Sequence, residues 1–487
     1  VSLSSLVDII HSGTLDQWSQ RNKKSFESLF GSAEGRYPKS AEKDFVLRAP
    51  EMSPDSGVPF AAYIHPSNPN SGPYSGLSFV IFPVEGKPAL LGLVVGTQGL
   101  SPDEAILGRP GHSRKAQAIC QWLNANFGRG EMVAWAKGDA TRTDLSMPAF
   151  STWSEYKSIT DRYGKEMYAV YCPTEDRKAT EEALAAFLDL LFEERGFFPI
   201  ASCKAASDKI RAAWFQHLLP PLEEKRVLAL LEDRRFAIVQ GPPGTGKTRL
   251  AKNILDTAYS GRGKTIQFHP NTTYENFIGG LAPASTDDTI GFRFEPKPGY
   301  LMKAATEARK VAPAKYLLHI DEVNRADLGK ILGEAIFLLE PKDSPRTIEL
   351  AYDFGEPFHH QFSLPENLHI LGTMNTSDRS IAILDVAVRR RFAFLTLMPQ
   401  MSVVEEQACP RMLDEFREMV SIFVEHAPDE AFNLMPGHSY FLEKEEAKAK
   451  ESLRVSLGSL LEEYLAQGYV GGFAEPIRGY LQKIAIP

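Results

Sequence analysis

Phe236-Ala-Ile-Val-Gln240-Gly241-Pro-Pro-Gly-Thr-Gly246-Lys247-Thr248 is the stretch on which the reading of this chain turns. A short apolar run of strand type leads into G-x-x-x-x-G-K-T, and the helix-compatible segment Arg249 to Tyr259 follows. The glycines let the backbone curl so that successive N–H groups face one anion at the positive end of a helix. Gly241, Pro242, Pro243, Gly244, Thr245, Gly246, Lys247 and Thr248, with Arg249 opening the helix, therefore form the candidate phosphate cradle. Lys247 is expected to meet the β- and γ-phosphates, and Thr248 to ligate Mg2+.

Two further apolar runs end in chemistry. Tyr316-Leu-Leu-His-Ile320 ends in Asp321-Glu322, about 70 residues downstream. A parallel strand adjacent to the P-loop strand would deliver those carboxylates beside the phosphates. Asp321 would then hold Mg2+ through water, while Glu322 orients and deprotonates the attacking water. An acidic N-cap for the next helix, which carries Leu328, Ile331, Leu332, Ala335, Ile336 and Leu339 on one face, is compatible with the same residues. Leu368-His-Ile-Leu-Gly-Thr-Met-Asn375 is a third such strand. Asn375 at its tip either positions the attacking water or caps the helix that follows. Arg389-Arg390-Arg391 ends a helical stretch that starts at Asp385. Such a run either compensates the helix dipole or supplies an arginine finger to a neighbouring subunit's γ-phosphate.

Outward from this core the pattern changes twice. Residues 221–401 alternate strand, loop and helix, which predicts a parallel α/β sheet flanked by helices. Residues 402–487 read as helices only, with Leu453, Leu457, Leu460, Leu461, Tyr464 and Leu465 at helical spacing. Residues 1–200 read as a separate α+β domain, with strands near 60–65, 77–83, 89–95 and 167–172. Its strong helix has Thr180 as the expected N-cap and Gly196 as its end. Residues 201–220 read as a linker.

Composition narrows the class. The 487 residues are 43% hydrophobic and 24% charged, ordinary for a globular protein and against a disordered one. Net charge is −8, and residues 1–200 carry 20 Lys+Arg against 24 Asp+Glu, so any nucleic-acid site is a local patch. Cys120, Cys172, Cys203 and Cys409 lie too far apart for a metal motif and are too few for a disulfide scaffold. No run approaches the ~18 apolar residues of a spanning helix, and Val1 to Asp8 lacks signal-peptide character. The expectation is a cytoplasmic protein with no membrane partner.

Several longer stretches resemble AAA+ motors, and among them the McrB type of modification-dependent restriction systems. They are Gln267-Phe-His-Pro, Tyr274-Glu-Asn-Phe-Ile-Gly-Gly, Asp321-Glu-Val-Asn-Arg-Ala-Asp-Leu, Gly372-Thr-Met-Asn-Thr-Ser-Asp-Arg-Ser, Asp385 to Phe392, and Gly437-His-Ser-Tyr-Phe. Together they cover about 230 to 470. The resemblance implies a ring-forming NTPase, usually hexameric, with a helical lid at 402–487 and sites between subunits. Asn375 matches the sensor position and Arg390 or Arg391 the finger. His438 falls where the lid approaches the nucleotide, or is simply packed there. Residues 341–362 resemble the family's hairpin insert. GTP is favoured by the restriction resemblance, while ATP serves most relatives.

The same resemblance implies DNA, with or without a modified base, as a ligand of the N-terminal domain. Arg109, His112, Arg114 and Lys115 form a local basic cluster, with Trp122 one to two turns on, and Trp135, Trp153 and Tyr156 are candidate stacking surfaces. Glu295-Pro-Lys297 and Glu340-Pro-Lys342 lack the upstream acid of a nuclease, so cleavage is assigned to a partner, an McrC-like subunit. The competing expectation is a MoxR-like AAA+ remodeller acting on a protein.

Overall fold

Continuous apolar runs bounded by turn residues, rather than alternating ones, call for strands buried on both faces, and the inner strands of the two larger sheets meet that demand. A computed structural model of the protein describes residues 3–31, 35–51, 57–128, 130–284, 293–340, 346–377 and 386–485. They fall into two units, Val1–Leu219 with Ile422–Pro428, and Pro220–Ser421 with Asp429–Pro487.

In the first unit, α1 (Ser4–His11) and α2 (Trp18–Glu27) precede β1 (Val46–Arg48), β2 (Ala61–Ile64), β3 (Leu77–Val84) and β4 (Lys87–Val95). Then come α3 (Glu104–Leu107), α4 (Pro110–Phe127), β5 (Ala134–Ala136), α5 (Lys157–Tyr163), β6 (Met167–Tyr171), α6 (Arg177–Glu194) and α7 (Ala201–Phe215). The strands form one antiparallel sheet in the order β1-β2-β3-β4-β6-β5. One face packs Val80, Phe82, Leu90 and Val170 against Trp153, Tyr156 and Ile159. Helices α4 and α6 pack against the sheet as well.

Three sequence readings change here. Helix α6 starts earlier than expected, because the Asp176 carboxylate accepts from the backbone N–H groups of Lys178 and Ala179. Thr180 lies inside the helix, its hydroxyl turned back to the Asp176 carbonyl. The stretch read as a linker carries α7, which packs on α4 and α6. The basic cluster turns inward: Arg109 and Lys115 form ion pairs with Glu194, whose side chain is 2% exposed. Lys115 also reaches Glu425 of the same unit at 2.7 Å, and Arg114 donates to the Val424 and Ala427 carbonyls. His112, Trp122, Trp153 and Tyr156 are buried, and Trp135 is partly so. His112, Trp122, Trp153 and Tyr156 are therefore core side chains rather than exposed stacking surfaces.

In the second unit, α8 (Glu224–Arg234) leads to β7 (Phe236–Gly241), α9 (Lys247–Thr257), β8 (Gly263–Gln267) and α10 (Tyr274–Phe277). An antiparallel pair, β9 (Gly279–Ala284) with β10 (Arg293–Pro298), precedes α11 (Tyr300–Val311), β11 (Tyr316–Asp321) and α12 (Leu328–Leu332). A second pair, β12 (Thr347–Glu349) with β13 (Gln361–Ser363), falls where the hairpin insert was expected. Then follow β14 (Leu368–Asn375), α13 (Val386–Arg391) and β15 (Ala393–Thr396).

Strands β15-β7-β14-β11-β8 form a parallel sheet in that order. The acid-bearing strand β11 is therefore not adjacent to the P-loop strand. Strand β14 lies between them, in register with both. One face packs Ile238, Leu318, Ile320 and Ile370 against α11 and α12; the other packs Val239, Leu317 and Leu371 against α8 and α9.

The remainder is helical: α14 (Met401–Gln407), α15 (Pro410–His426), α16 (Asp429–Phe432), α17 (Glu446–Ser452), α18 (Ser459–Ala466) and α19 (Ala474–Ala485). Leu453–Gly458 widens to a π-helix between α17 and α18, and Leu453, Leu457, Leu461 and Tyr464 are buried along that line. The loop before His438 seats on the P-loop: Gly437 N–H donates to the Pro243 carbonyl at 2.9 Å, and Ser439 N–H to the Gly244 carbonyl at 3.0 Å. No helix among the described residues is long and apolar enough to cross a membrane.

Two stability predictions follow from this packing. A Cβ at position 437 would lie 2.1 Å from the Gly244 carbonyl carbon. Gly437→Ala is expected to force the loop off the P-loop at a cost of about 1–3 kcal/mol, read as a lower urea midpoint; an unchanged midpoint would show the contact to be slack. His369 is buried with Nδ1 2.6 Å from the Tyr259 hydroxyl, and burial lowers its pKa from 6.5 to about 4. Between those values the unfolded chain takes up a proton that the folded chain refuses, so stability falls as pH drops through that window. His369→Asn keeps an acceptor for Tyr259 and is expected to flatten that slope; an equal slope in denaturation at pH 7 and pH 5 would contradict the assignment.

Candidate nucleotide-binding site

The loop after β7 is shaped by what cannot carry a side chain. A Cβ at Gly241 would come within 2.2 Å of the Leu397 carbonyl oxygen. Gly244 and Gly246 hold φ of 77° and 80°, the left-handed region where glycine is at home. Gly246 is the N-cap residue of α9, so the first-turn N–H groups, which have no acceptor within the helix, open at the loop. Lys247 is buried, its ammonium donating to the Gly241 and Pro242 carbonyls at 3.0 and 2.7 Å. Thr248 and Arg249 are exposed on the first turn.

The acids stand beside this loop. Thr248 Oγ1 donates to Asp321 Oδ1 at 3.0 Å, and Thr373 Oγ1 donates to the same oxygen. Glu322 has φ of 55°, an unusual backbone state for a side-chain-bearing residue and one that strained functional sites retain. Asn375 Nδ2 donates to Glu322 Oε1 at 2.9 Å, and Arg325 lies 3.6 Å from the second oxygen. Neither acid caps the following helix. Asp327 does that, accepting from the Lys330 N–H at 3.2 Å, and Gly333 at φ 50° interrupts the helix after Leu332.

Residues outside the sequence-derived set hold these groups in place. Asn324, buried, donates to the Asn375 carbonyl at 3.1 Å. Thr376 N–H donates to the Gly241 carbonyl at 3.0 Å, and its hydroxyl to the Asn433 carbonyl at 2.8 Å. His319 lies between Thr265 and Thr373. The signal in the sequence was a polar residue inside a buried strand, His319 in Leu-Leu-His-Ile and Thr373 in Leu-Gly-Thr-Met.

His438 is buried, with Nε2 3.6 Å from where a Cβ on Gly246 would sit and Nδ1 accepting from the Gln400 N–H at 3.3 Å. Burial, with the Arg249 charge nearby, lowers its pKa to about 4, so it is neutral at pH 7. The arginines lie elsewhere. Ala393, just after them, pairs with Ala237, four residues before Gly241 on β7. At about 3.3 Å per strand residue they sit toward the edge of the sheet opposite the P-loop. Arg391 is 15% exposed and 3.0 Å from Glu340, whereas Arg390 is 74% exposed and 3.6 Å from it. Glu340 thus serves these arginines, and Glu295 and Lys297 lie on exposed β10. Asp378, Arg379, Ser380 and Asp385 lie outside the described residues.

A hydroxyl and a carboxylate oxygen converging beside a phosphate cradle are the hard donors Mg2+ takes, and it is commonly held by one carboxylate plus phosphates and waters. Thr248 and Asp321 fit such an ion.

A model of the AAA domain, dynein-related subfamily, matches residues 237–392. The chain is 31% identical over 268 residues to the type IV methyl-directed restriction enzyme EcoKMcrB subunit of Escherichia coli, covering 50% of this chain and 57% of that protein. It is 28% identical to the type II restriction enzyme BsuMI component YdiS of Bacillus subtilis, over 33% of this chain and 56% of that one. It is also 29% identical to the uncharacterised Escherichia coli protein YehL, over 39% and 48%. The chain thus spans about half the length of these relatives. Strand order and P-loop agree with the family match: residues 237–392 match the AAA domain of the dynein-related subfamily, and over half its length the chain is similar to the McrB subunit.

Proposed function

We propose that the chain hydrolyses a nucleoside triphosphate, GTP by its likeness to the restriction subunit and ATP as the alternative, and that hydrolysis drives a DNA-restriction complex. The observation that supports this best is the convergence of Lys247, Thr248, Asp321, Glu322 and Asn375 at one edge of the parallel sheet. Lys247 moves from the loop carbonyls to the β- and γ-phosphates, exchanging neutral acceptors for charged ones. Thr248 and Asp321 hold Mg2+, which when bound offsets charge on the phosphate oxygens. Glu322 takes the proton of the attacking water, and Asn375 fixes the carboxylate that does so. His438, neutral, lines the cradle from the lid side.

The finger is assigned to Arg390. It is exposed, and its place toward the opposite edge of the sheet puts its own phosphates out of reach, so it serves a second copy of the chain in a ring, hexameric by resemblance. Arg391, drawn onto Glu340, positions the helix. DNA recognition by the N-terminal unit and a separate McrC-like nuclease partner rest on the likeness to the methyl-directed restriction subunit. The Arg109–Lys115 cluster is engaged within its own unit, Arg109 and Lys115 with Glu194 and Glu425 and Arg114 with backbone carbonyls, which favours a DNA-contacting surface elsewhere on the unit.

Turnover of GTP and ATP by the full chain, with and without plain and methylated duplex DNA, tests the proposal. GTP preference with faster turnover on DNA is the expected result. ATP preference without a DNA response would overturn the restriction reading in favour of a MoxR-like protein remodeller. Glu322→Gln is expected to lower turnover about 10²–10⁴-fold with nucleotide binding retained; normal turnover would remove Glu322 from the chemistry. Arg390→Ala is expected to lower it roughly 10³-fold or more. Mixing Arg390→Ala with Lys247→Ala chains should then restore part of the activity, because each supplies what the other lacks at a shared interface. Full activity of Arg390→Ala alone would contradict the finger.

A further inference from the structure

His319 is buried at 1% exposure in β11, between the apolar residues Leu318 and Ile320. A buried imidazole is costly unless its nitrogens are satisfied, and both are. Nδ1 lies 3.2 Å from Thr265 Oγ1 on β8, and Nε2 lies 3.3 Å from Thr373 Oγ1 on β14. The sheet makes this geometry. Residues 319 and 321 share one face by the two-residue period of a strand. In register, His319 pairs with Thr265 on one side and with Leu371 on the other, which places Thr373 on that same face, beside Asp321.

The direction of each bond follows from the donor inventory. An ionised carboxylate only accepts, so the single proton of Thr373 goes to Asp321. Thr373 Oγ1 must then accept from His319, which fixes the proton on Nε2 and leaves Nδ1 to accept from Thr265. A one-way chain, Thr265 to His319 to Thr373 to Asp321, runs across three strands and ends on the oxygen that Thr248 also contacts at 3.0 Å.

We infer that Thr373 and His319 are positioning residues that set the rotamer of Asp321 and thereby the affinity of the site for Mg2+. This rests on the proposed nucleotide reading. Groups that orient a metal ligand from behind typically contribute 10–100-fold in metal affinity. The inference separates two functions of β14: its tip faces the Glu322 carboxylate through Asn375, and its penultimate turn of pleat holds Asp321 through Thr373.

The test uses the full chain and two readouts, the Mg2+ concentration for half-maximal hydrolysis and the Mg2+-dependent change in fluorescence of bound mant-GTP and mant-ATP. Thr373→Val keeps shape and loses the donor. It is expected to raise the Mg2+ requirement about 10–100-fold in both readouts, with mant-nucleotide affinity in EDTA unchanged. Thr373→Ser should restore the wild-type value. At position 319, Gln places an amide N–H where Nε2–H stood, so His319→Gln should stay near wild type while His319→Leu shifts with Thr373→Val. That second pair decides the matter if Thr373→Val fails to fold. A Mg2+ requirement within twofold of wild type in Thr373→Val, or equal values for His319→Gln and His319→Leu, overturns the inference while leaving the NTPase reading standing. Absence of any nucleotide binding by the wild-type chain overturns both.

Discussion

Everything at the nucleotide edge depends on the insertion of β14 between the P-loop strand and the acid strand. Were β7 and β11 direct neighbours, Asp321 would face the loop with nothing between them, and Asn375 would have no access to Glu322. With β14 in the middle, register alone brings Thr373 to Asp321 and Asn375 to Glu322. Asn375 also pairs with Gly241, so the tip of the central strand and the start of the phosphate cradle are held at one level. Parallel strands buried on both faces leave few polar positions, and apart from His369 near the start of β14 the buried ones among the described strand residues lie toward this edge. His319, Thr373 and Asn324 are buried polar side chains that tie β8, β11 and β14 to the site.

The cradle itself is defined by close approach as much as by chemistry. Gly241 clears the Leu397 carbonyl, and Gly437 clears Gly244, so strand β15 and the loop before His438 both press against the phosphate loop. Ser439 and Tyr440 fill the space that a side chain at Gly244 would need. The segment at 437–440 and the backbone of the loop at 243–245 are thus held against each other with no room to shift independently.

Much of this was legible in the sequence. The P-loop, its flanking strand and helix, the acid pair and the sensor-type strand are local patterns, and local patterns survive folding. Four strands of the N-terminal sheet were visible for the same reason, while the three-residue β1 and β5 were too short to read. Strand order was not legible, because which parallel strand lies beside which is set by crossovers, not by any one segment. Nor was the fate of Arg109, His112, Arg114 and Lys115, which read as a surface patch until Glu194 and Glu425, distant in sequence, were brought to them. The helix start at Asp176 rather than Thr180 turned on a carboxylate reaching two N–H groups, a competition that residue preference alone does not decide. The difference between Arg390 and Arg391 is likewise one of burial against Glu340, a contact made across about 50 residues of chain.

The central claim is that the loop from Gly241 to Thr248 binds the phosphates of a nucleoside triphosphate. Calorimetric titration of the full chain and of Lys247→Ala with non-hydrolysable GTP and ATP analogues in Mg2+ tests it most directly. The account predicts saturable binding of at least one analogue by the native chain and its loss, by tenfold or more in affinity (~1.4 kcal/mol), in Lys247→Ala. Equal affinity in the two chains, or no binding by the native one, would contradict it.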